Sequence, residues 1–128
     1  MKVAQHIKYN KNNISLNITE VSRPTMNENQ VLIKVSAAGV NPLDNMISRG
    51  EVEMIVPYNL PQIAGNEVVG IVESVGNQVN NLQVGDRVFG RLPLDHIGAF
   101  AEYVAVDSQA LAKVPDYLSD EEAAAVPL

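Results

Sequence analysis

Val31, Ile33, Val35 and Ala37 alternate with Leu32, Lys34 and Ser36. This period of two turns every second side chain toward a core and predicts a strand. Residues 68–75 form a nearly unbroken run of Val and Ile interrupted by Gly70. Such a run predicts a strand buried on both faces, or one that carries a bulge. Arg87-Val88-Phe89, residues 100–106 and residues 110–114 add three short apolar segments. Gly76-Asn77, Val84-Gly85-Asp86 and Gly98 punctuate them as turns. Residues 2–9 and 14–21 read as a hairpin closed through Asn10-Lys11-Asn12-Asn13. Many short strands divided by turns predict a barrel or sandwich and not a layered parallel sheet.

Two helix starts interrupt this β pattern. Asn41-Pro42-Leu43-Asp44 offers a capping side chain, a proline at the first helical position and an acid at the third. Gly50 is placed to end that helix after about two turns. Ser119-Asp120-Glu121-Glu122 is a capping box that launches Ala123-Ala124-Ala125-Val126, and the sequence stops at Leu128. A helix of roughly eight residues is shorter than the ~12 at which isolated helices become marginal. The expectation is a chain that continues in its natural form: residues 1–118 as one mainly β (α+β) domain, and residues 119–128 as the start of a helix leading into a further domain.

Composition narrows the chemistry. The chain has 128 residues, 46% apolar and 19% charged, enough for one packed domain. Fifteen acidic against nine basic side chains give a net charge of −6. The bases are scattered singly, so no stripe exists to neutralise phosphates, and nucleic acid is not an expected partner. No cysteine is present, which removes disulfides, thiolate nucleophiles and cysteine-bearing metal sites. The apolar runs fall short of the ~18 residues needed to span a bilayer, and Met1-Lys2-Val3-Ala4-Gln5-His6 lacks the apolar segment of a secretion signal. A cytoplasmic protein without membrane association is expected. No two glycines are spaced by two, which rules out a G-x-G-x-x-G fingerprint, and neither a phosphate loop nor a G-x-S-x-G elbow occurs. His6 and His96 stand ninety residues apart in sequence, each read as a surface or core residue before a ligand or proton shuttle.

Four motifs carry a resemblance. Residues 61–76, from Pro61 through Gly65, Glu67, Gly70, Val72 and Val75 to Gly76, follow a P-x-x-x-G-x-E-x-x-G-x-V-x-x-V-G pattern. Gly85-Asp86-Arg87-Val88 follows at the expected distance. Upstream lies Ala38-Gly39-Val40-Asn41-Pro42-Leu43-Asp44, and downstream Gly98-Ala99-Phe100-Ala101-Glu102-Tyr103. Together these resemble the N-terminal catalytic domain of the medium-chain dehydrogenases/reductases, in particular the zinc-independent quinone oxidoreductase branch. The resemblance spans essentially the whole chain. It implies a GroES-like, partly open β-barrel with a few short helices, followed in full-length members by a Rossmann domain.

What the resemblance implies for function is specific. It points to an NADPH-dependent oxidoreductase that reduces quinones or α,β-unsaturated carbonyls, homodimeric when full length, with this fragment inactive by itself. Zinc alcohol dehydrogenases carry a cysteine ligand where this chain has Asn41 and a histidine ligand where it has Asn66. Amides are poor zinc ligands beside thiolate and imidazole, so the expected cofactor set is NADPH without zinc. Glu67 stands where those enzymes keep a glutamate behind the metal, a role that does not explain it here. Asn41 is the candidate catalytic donor to a developing oxyanion, or a helix cap, or both. Asp44 is a cap partner or a hydrogen bond near the nicotinamide ribose. Met46 occupies a position where several quinone oxidoreductases carry a cofactor-reaching tyrosine, and with Asn41 and Asp44 it makes up the expected cofactor-binding residues. Asn66 lines the substrate cleft or is a satisfied strand-end amide. Tyr58 and the apolar Met54-Ile55-Val56-Pro57 shape that cleft or simply pack. Arg49 reads as a solvated helix-end charge, and Asp120, Glu121 and Glu122 as capping. Asn41 and Asn66 are expected to converge on one cleft beside Leu128. Two rivals remain: a stand-alone GroES-like co-chaperonin or binding module, for which Met54 to Pro57 is the one candidate apolar tip, and an enoyl-thioester reductase of the same superfamily.

Overall fold

A computed structural model describes all residues from Met1 to Leu128. Eight strands and two short helices follow in the order β1 (Lys2–His6), β2 (Asn17–Glu20), β3 (Gln30–Gly39), α1 (Pro42–Ser48), β4 (Gln62–Ile63), β5 (Glu67–Val75), β6 (Arg87–Arg91), β7 (Tyr103–Asp107), β8 (Ala112–Lys113) and α2 (Asp120–Ala124). They build a three-stranded sheet, β2-β1-β4, and a five-stranded sheet, β7-β3-β5-β6-β8. Every pairing is antiparallel. The sheets meet where Val3 bridges Ala101 and Glu102 N–H donates to the Lys2 carbonyl. The result is the mainly β architecture that the strand pattern predicts, in the partly open form that the resemblance implies, with neither sheet closed into a full barrel.

The start of the Val/Ile run is explained by β5, which is covered on both sides from Glu67 to Gly70, while Ile71 and Glu73 beyond it are exposed. Val68 and Val72 point into the main core with Val31, Ile33, Val88, Val104 and Val106. Val69 points the other way, beneath Ala123 and Ala124 of α2 and against Val114. The register between β3 and β5 shifts twice, at Leu32/Ile33 and at Val35/Ala37. Gly70 sits within this irregular stretch. A Cβ there would collide with the Lys34 carbonyl oxygen and the Ile33 side chain, so the two strands can approach only because position 70 has no side chain.

Several boundaries differ from the sequence reading. The N-terminal hairpin exists, with Lys2 opposite Glu20 and Gln5 opposite Asn17, but its strands are shorter than residues 2–9 and 14–21. The chain leaves the sheet after His6 because its polar groups find partners elsewhere. Asn10 N–H donates to the Ser48 carbonyl on α1, and Asn10 Oδ1 accepts from the N–H groups of Asn12 and Asn13, an Asx turn. Phe100 and Ala101 lie in the junction between sheets, and β7 begins only at Tyr103. The segment expected over 110–114 is a single 3-10 turn, Ser108–Ala110, followed by the two-residue β8. α2 is five residues long and starts as read, with the Ser119 hydroxyl accepting from Glu122 N–H and Glu122 answering to Ser119 N–H. Arg87 locks it down through Asp120 at 2.9 Å and the Leu118 carbonyl at 2.7 Å.

Adding one methyl group at position 70 tests the β3–β5 contact. Gly70→Ala is expected to lose about 2–3 kcal/mol of stability through overpacking against backbone that cannot yield. Urea denaturation of the two proteins reads the difference directly; an unchanged midpoint would show that the strands can separate there.

Candidate functional site

The start of α1 crosses the start of β5, and the buried Asp44, Asn66 and Glu67 meet at that crossing. Asn41 is the N-cap of α1, with φ −126° and ψ 160°, and Pro42 opens the first turn. Three positions in, the Asp44 carboxylate turns back and accepts the Asn41 backbone N–H at 2.7 Å. Its other oxygen accepts from Asn66 Nδ2, also at 2.7 Å. Next to Asn66, Glu67 opens β5 and accepts from Asn41 Nδ2 at 2.9 Å. Each asparagine therefore gives its amide hydrogen to the carboxylate of the opposite segment. The remaining Glu67 oxygen accepts the Leu128 N–H at 2.7 Å.

Burial makes these contacts matter. Asn66, Glu67 and Asp44 are 0%, 1% and 5% exposed, so no solvent replaces a lost partner. Asn66 Oδ1 has no protein donor, while Asn66 Nδ2 and both Asp44 oxygens are satisfied. Asn41 differs: it is half-buried and lines a cleft of about 260 Å³ with Gly39, Val40, Glu67 and Ala124. A Cβ at Gly39 would overlap the Glu67 carboxylate and lie 2.6 Å from the Ala124 carbonyl, so glycine at this position keeps Glu67 seated.

The two amides thus converge on neighbouring carboxylates but not on one cleft. Asn66 is sealed behind the crossing and does not line the space that Asn41 lines. Asp44 is the cap partner, with both oxygens occupied by groups of the chain itself. Met46 is exposed on α1. Tyr58 lies away from the cleft, packed with Ile47, Val52 and Ile97, and its hydroxyl donates to the Leu94 carbonyl. Burial pushes that phenol up to about 12, with Tyr9 and Asp95 nearby adding to the shift, so it stays a proton-bearing donor at neutral pH. Met54 and Ile55 stand out in solvent. Arg49 pairs with Glu51 at the open end of α1. No group of three or more His, Cys, Asp or Glu side chains stands close enough to hold a metal ion.

A second buried polar pair went unread in the sequence. His6 and Ser48 are 2% and 5% exposed, and His6 Nδ1 lies 3.2 Å from Ser48 Oγ. Ser48 is one helical turn beyond Asp44, on the same face of α1. His6 links β1 to that face, a role visible in sequence only as a lone histidine at a strand end.

With this geometry in place, the comparisons with known proteins are consistent. Residues 27–116 match the alcohol dehydrogenase GroES-like domain, and the chain belongs to that family. It is 37% identical to the 2-methylene-furan-3-one reductase of Solanum lycopersicum, over 100% of this chain and 34% of the relative. It is 39% identical to the quinone oxidoreductase of Sus scrofa, over 84% of this chain and 32% of the relative. The quinone oxidoreductase structure from Coxiella burnetii superposes with a TM-score of 0.91 at 33% identity, covering 99% of this chain and 41% of that one. An Escherichia coli quinone oxidoreductase solved with NADPH superposes at 0.86 with 28% identity, covering 98% and 37%. The chain spans about a third of the length of the curated relatives it matches.

His6 gives the site a pH signature. Burial lowers its pKa from the usual 6.5, and the negative charge of Asp44 opposes that shift only in part. The unfolded chain then binds a proton near 6.5 that the folded chain resists, so stability is full above that pH and falls as pH drops through it. His6→Gln is expected to flatten the loss of thermal stability between neutral pH and about pH 5. An acid limb of unchanged slope in the variant would assign it to other groups. Asn66→Asp is expected to cost about 3 kcal/mol or more, because it sets one buried carboxylate against another; denaturant unfolding measures it, and a loss under 1 kcal/mol would show that the crossing opens to water.

Proposed function

We propose that this chain is the catalytic domain of an NAD(P)H-dependent oxidoreductase that reduces quinones or α,β-unsaturated carbonyls without zinc. The observation that carries the reading is the Asn41 amide. It lines the cleft beside Gly39, and only one of its two hydrogens is taken by Glu67, which leaves an N–H for a carbonyl oxygen. Reduction of a conjugated carbonyl builds negative charge on that oxygen, and a fixed donor stabilises it in the transition state more than in the ground state. The named relatives support the substrate class: a quinone and a 2-methylene-furan-3-one both carry a C=C bond conjugated to a carbonyl.

The cleft fits one end of a nicotinamide dinucleotide. Its 260 Å³ is below the ~300–1,000 Å³ of pockets that enclose drug-sized ligands. Gly39, Ala38 and Ala124 leave the wall flat, Asn41 supplies a polar edge, and Glu121 is the nearest free charge. A planar amide-bearing ring suits that lining; a pyrophosphate does not, since no basic residue borders the cleft and the sequence has no glycine-rich phosphate loop. When bound, the nicotinamide supplies hydride. The chain's own part is to hold an N–H at the acceptor oxygen and to keep Asn41 fixed while charge develops. A further, nucleotide-holding domain is part of the proposal.

At natural length, the protein is expected to oxidise NADPH in the presence of a quinone or a conjugated enone; no turnover with any of a broad panel of acceptors would overturn the reading. Asn41→Ala is expected to lower kcat about 10²–10³-fold, beside a stability loss of about 1–3 kcal/mol from the buried Glu67 oxygen it leaves without its donor. Elemental analysis is expected to find zinc well below one atom per chain, and one tightly held zinc would defeat the metal-free part.

A further inference from the structure

We propose that Glu67 is a positioning residue that decides which edge of the Asn41 amide faces the cleft. The inference rests on the reading of Asn41 as the donor to substrate, and it assigns to Glu67 a task that a metal-free site still requires.

Both Glu67 oxygens face donors: Oε1 takes Asn41 Nδ2 at 2.9 Å, and Oε2 takes the Leu128 N–H at 2.7 Å. A carboxylate has no hydrogen to offer in exchange. An Asn41 amide turned over about its Cβ–Cγ bond would set Oδ1 against Oε1, two acceptors with no proton between them. The two amide orientations have the same shape, so packing alone does not distinguish them; the carboxylate does. Glu67 is itself immobile. It is 1% exposed, sits in β5 opposite both Gly39 and Arg91, and leaves no room for a Cβ on Gly39. The Asn41 amide is therefore held with one N–H engaged, and the other N–H is left for a ligand.

Glutamine at position 67 keeps the shape and exchanges one acceptor for a donor. With its carbonyl retained on the Leu128 N–H, its NH2 faces Asn41 and is satisfied only if Asn41 turns to present Oδ1. Glu67→Gln thus inverts the Asn41 amide inside an intact fold.

The experiment is side-chain amide NMR on the protein at natural length, with steady-state kinetics beside it. In the wild type, one Asn41 Nδ2 proton is expected to exchange at least roughly tenfold more slowly than those of exposed Asn45 on the same helix. Glu67→Gln is expected to shift that resonance pair, remove the protection and lower kcat about 10–100-fold with KM little changed. In an Asn41→Ala background the same change is expected to cost nothing further, because Glu67 acts only through Asn41. Three results would each overturn the proposal: wild-type Asn41 protons that exchange like those of Asn45, a protected pair unaltered by Glu67→Gln, or an equal loss of kcat with and without Asn41. The wild-type exchange measurement decides the first point whether or not the variant folds. A natural-length protein that reduces no acceptor, yet shows protection lost in Glu67→Gln, would sink the proposed function and sustain the role of Glu67.

Discussion

Two buried carboxylates lie where α1 meets β5, and each is satisfied by an asparagine from the other segment. Placing such groups out of water costs several kcal/mol apiece unless donors meet them, and a hydrogen bond to a charged group returns about 1.5–3 kcal/mol. The crossed pair of Asn41 with Glu67 and Asn66 with Asp44 is therefore poor value as a source of stability. Its effect is on geometry. Neither segment can slide by one residue without parting both carboxylates from their amide donors, and Asp44, Asn66 and Glu67 are buried from solvent. A short helix of seven residues, too brief to hold itself, is fixed in this way against a strand of the main sheet.

The rest of the fold serves that fixation. β5 is clamped between the valine core and α2, so the strand that carries Asn66 and Glu67 has nowhere to move. The register shifts in β3 carry its final residues to Gly39, beside the Glu67 carboxylate, and the chain then turns into the Asn41 cap. On the far side of α1, His6 and Ser48 join the helix to the small sheet. Two segments far apart in sequence thus hold one short helix, β5 at its start and β1 at its end. The cleft beside it inherits their rigidity, the condition under which a single amide can act as a preorganised donor.

The features legible in sequence were those governed by near neighbours. Alternation over residues 31–37 gave β3, the Val/Ile run gave β5 with its irregularity at Gly70, and both helix starts followed from their caps. The misread boundaries share a different cause. Ile7 and Ile14 look like continuing strand, yet both are exposed, because the backbone between them is drawn off by Asn10 and Ser48. The two residues of β4 are too few to show any period. The site itself was half legible. Motif positions singled out Asn41, Asp44 and Asn66 and noted Glu67 without a task. What joins them are contacts across 22 and 26 residues, and an asparagine in a sequence does not disclose whether it faces a cleft or a carboxylate.

That last distinction separates the two asparagines, which motif comparison treats alike. The resemblance sets both at positions of zinc ligands in related enzymes, and a symmetrical pair of amides would make a symmetrical case for chemistry. The structure breaks the symmetry through burial. Asn66 gives its N–H to Asp44 and keeps Oδ1 in a region no solvent reaches, so its amide is spent on holding α1. Asn41 makes the same kind of bond to Glu67 but stands at the edge of the cleft, with an N–H still to offer. One amide is thus the anchor and the other the reaching group. Asp44 holds the first and Glu67 the second, so the edge that Asn41 turns to the cleft depends on the carboxylate beside it.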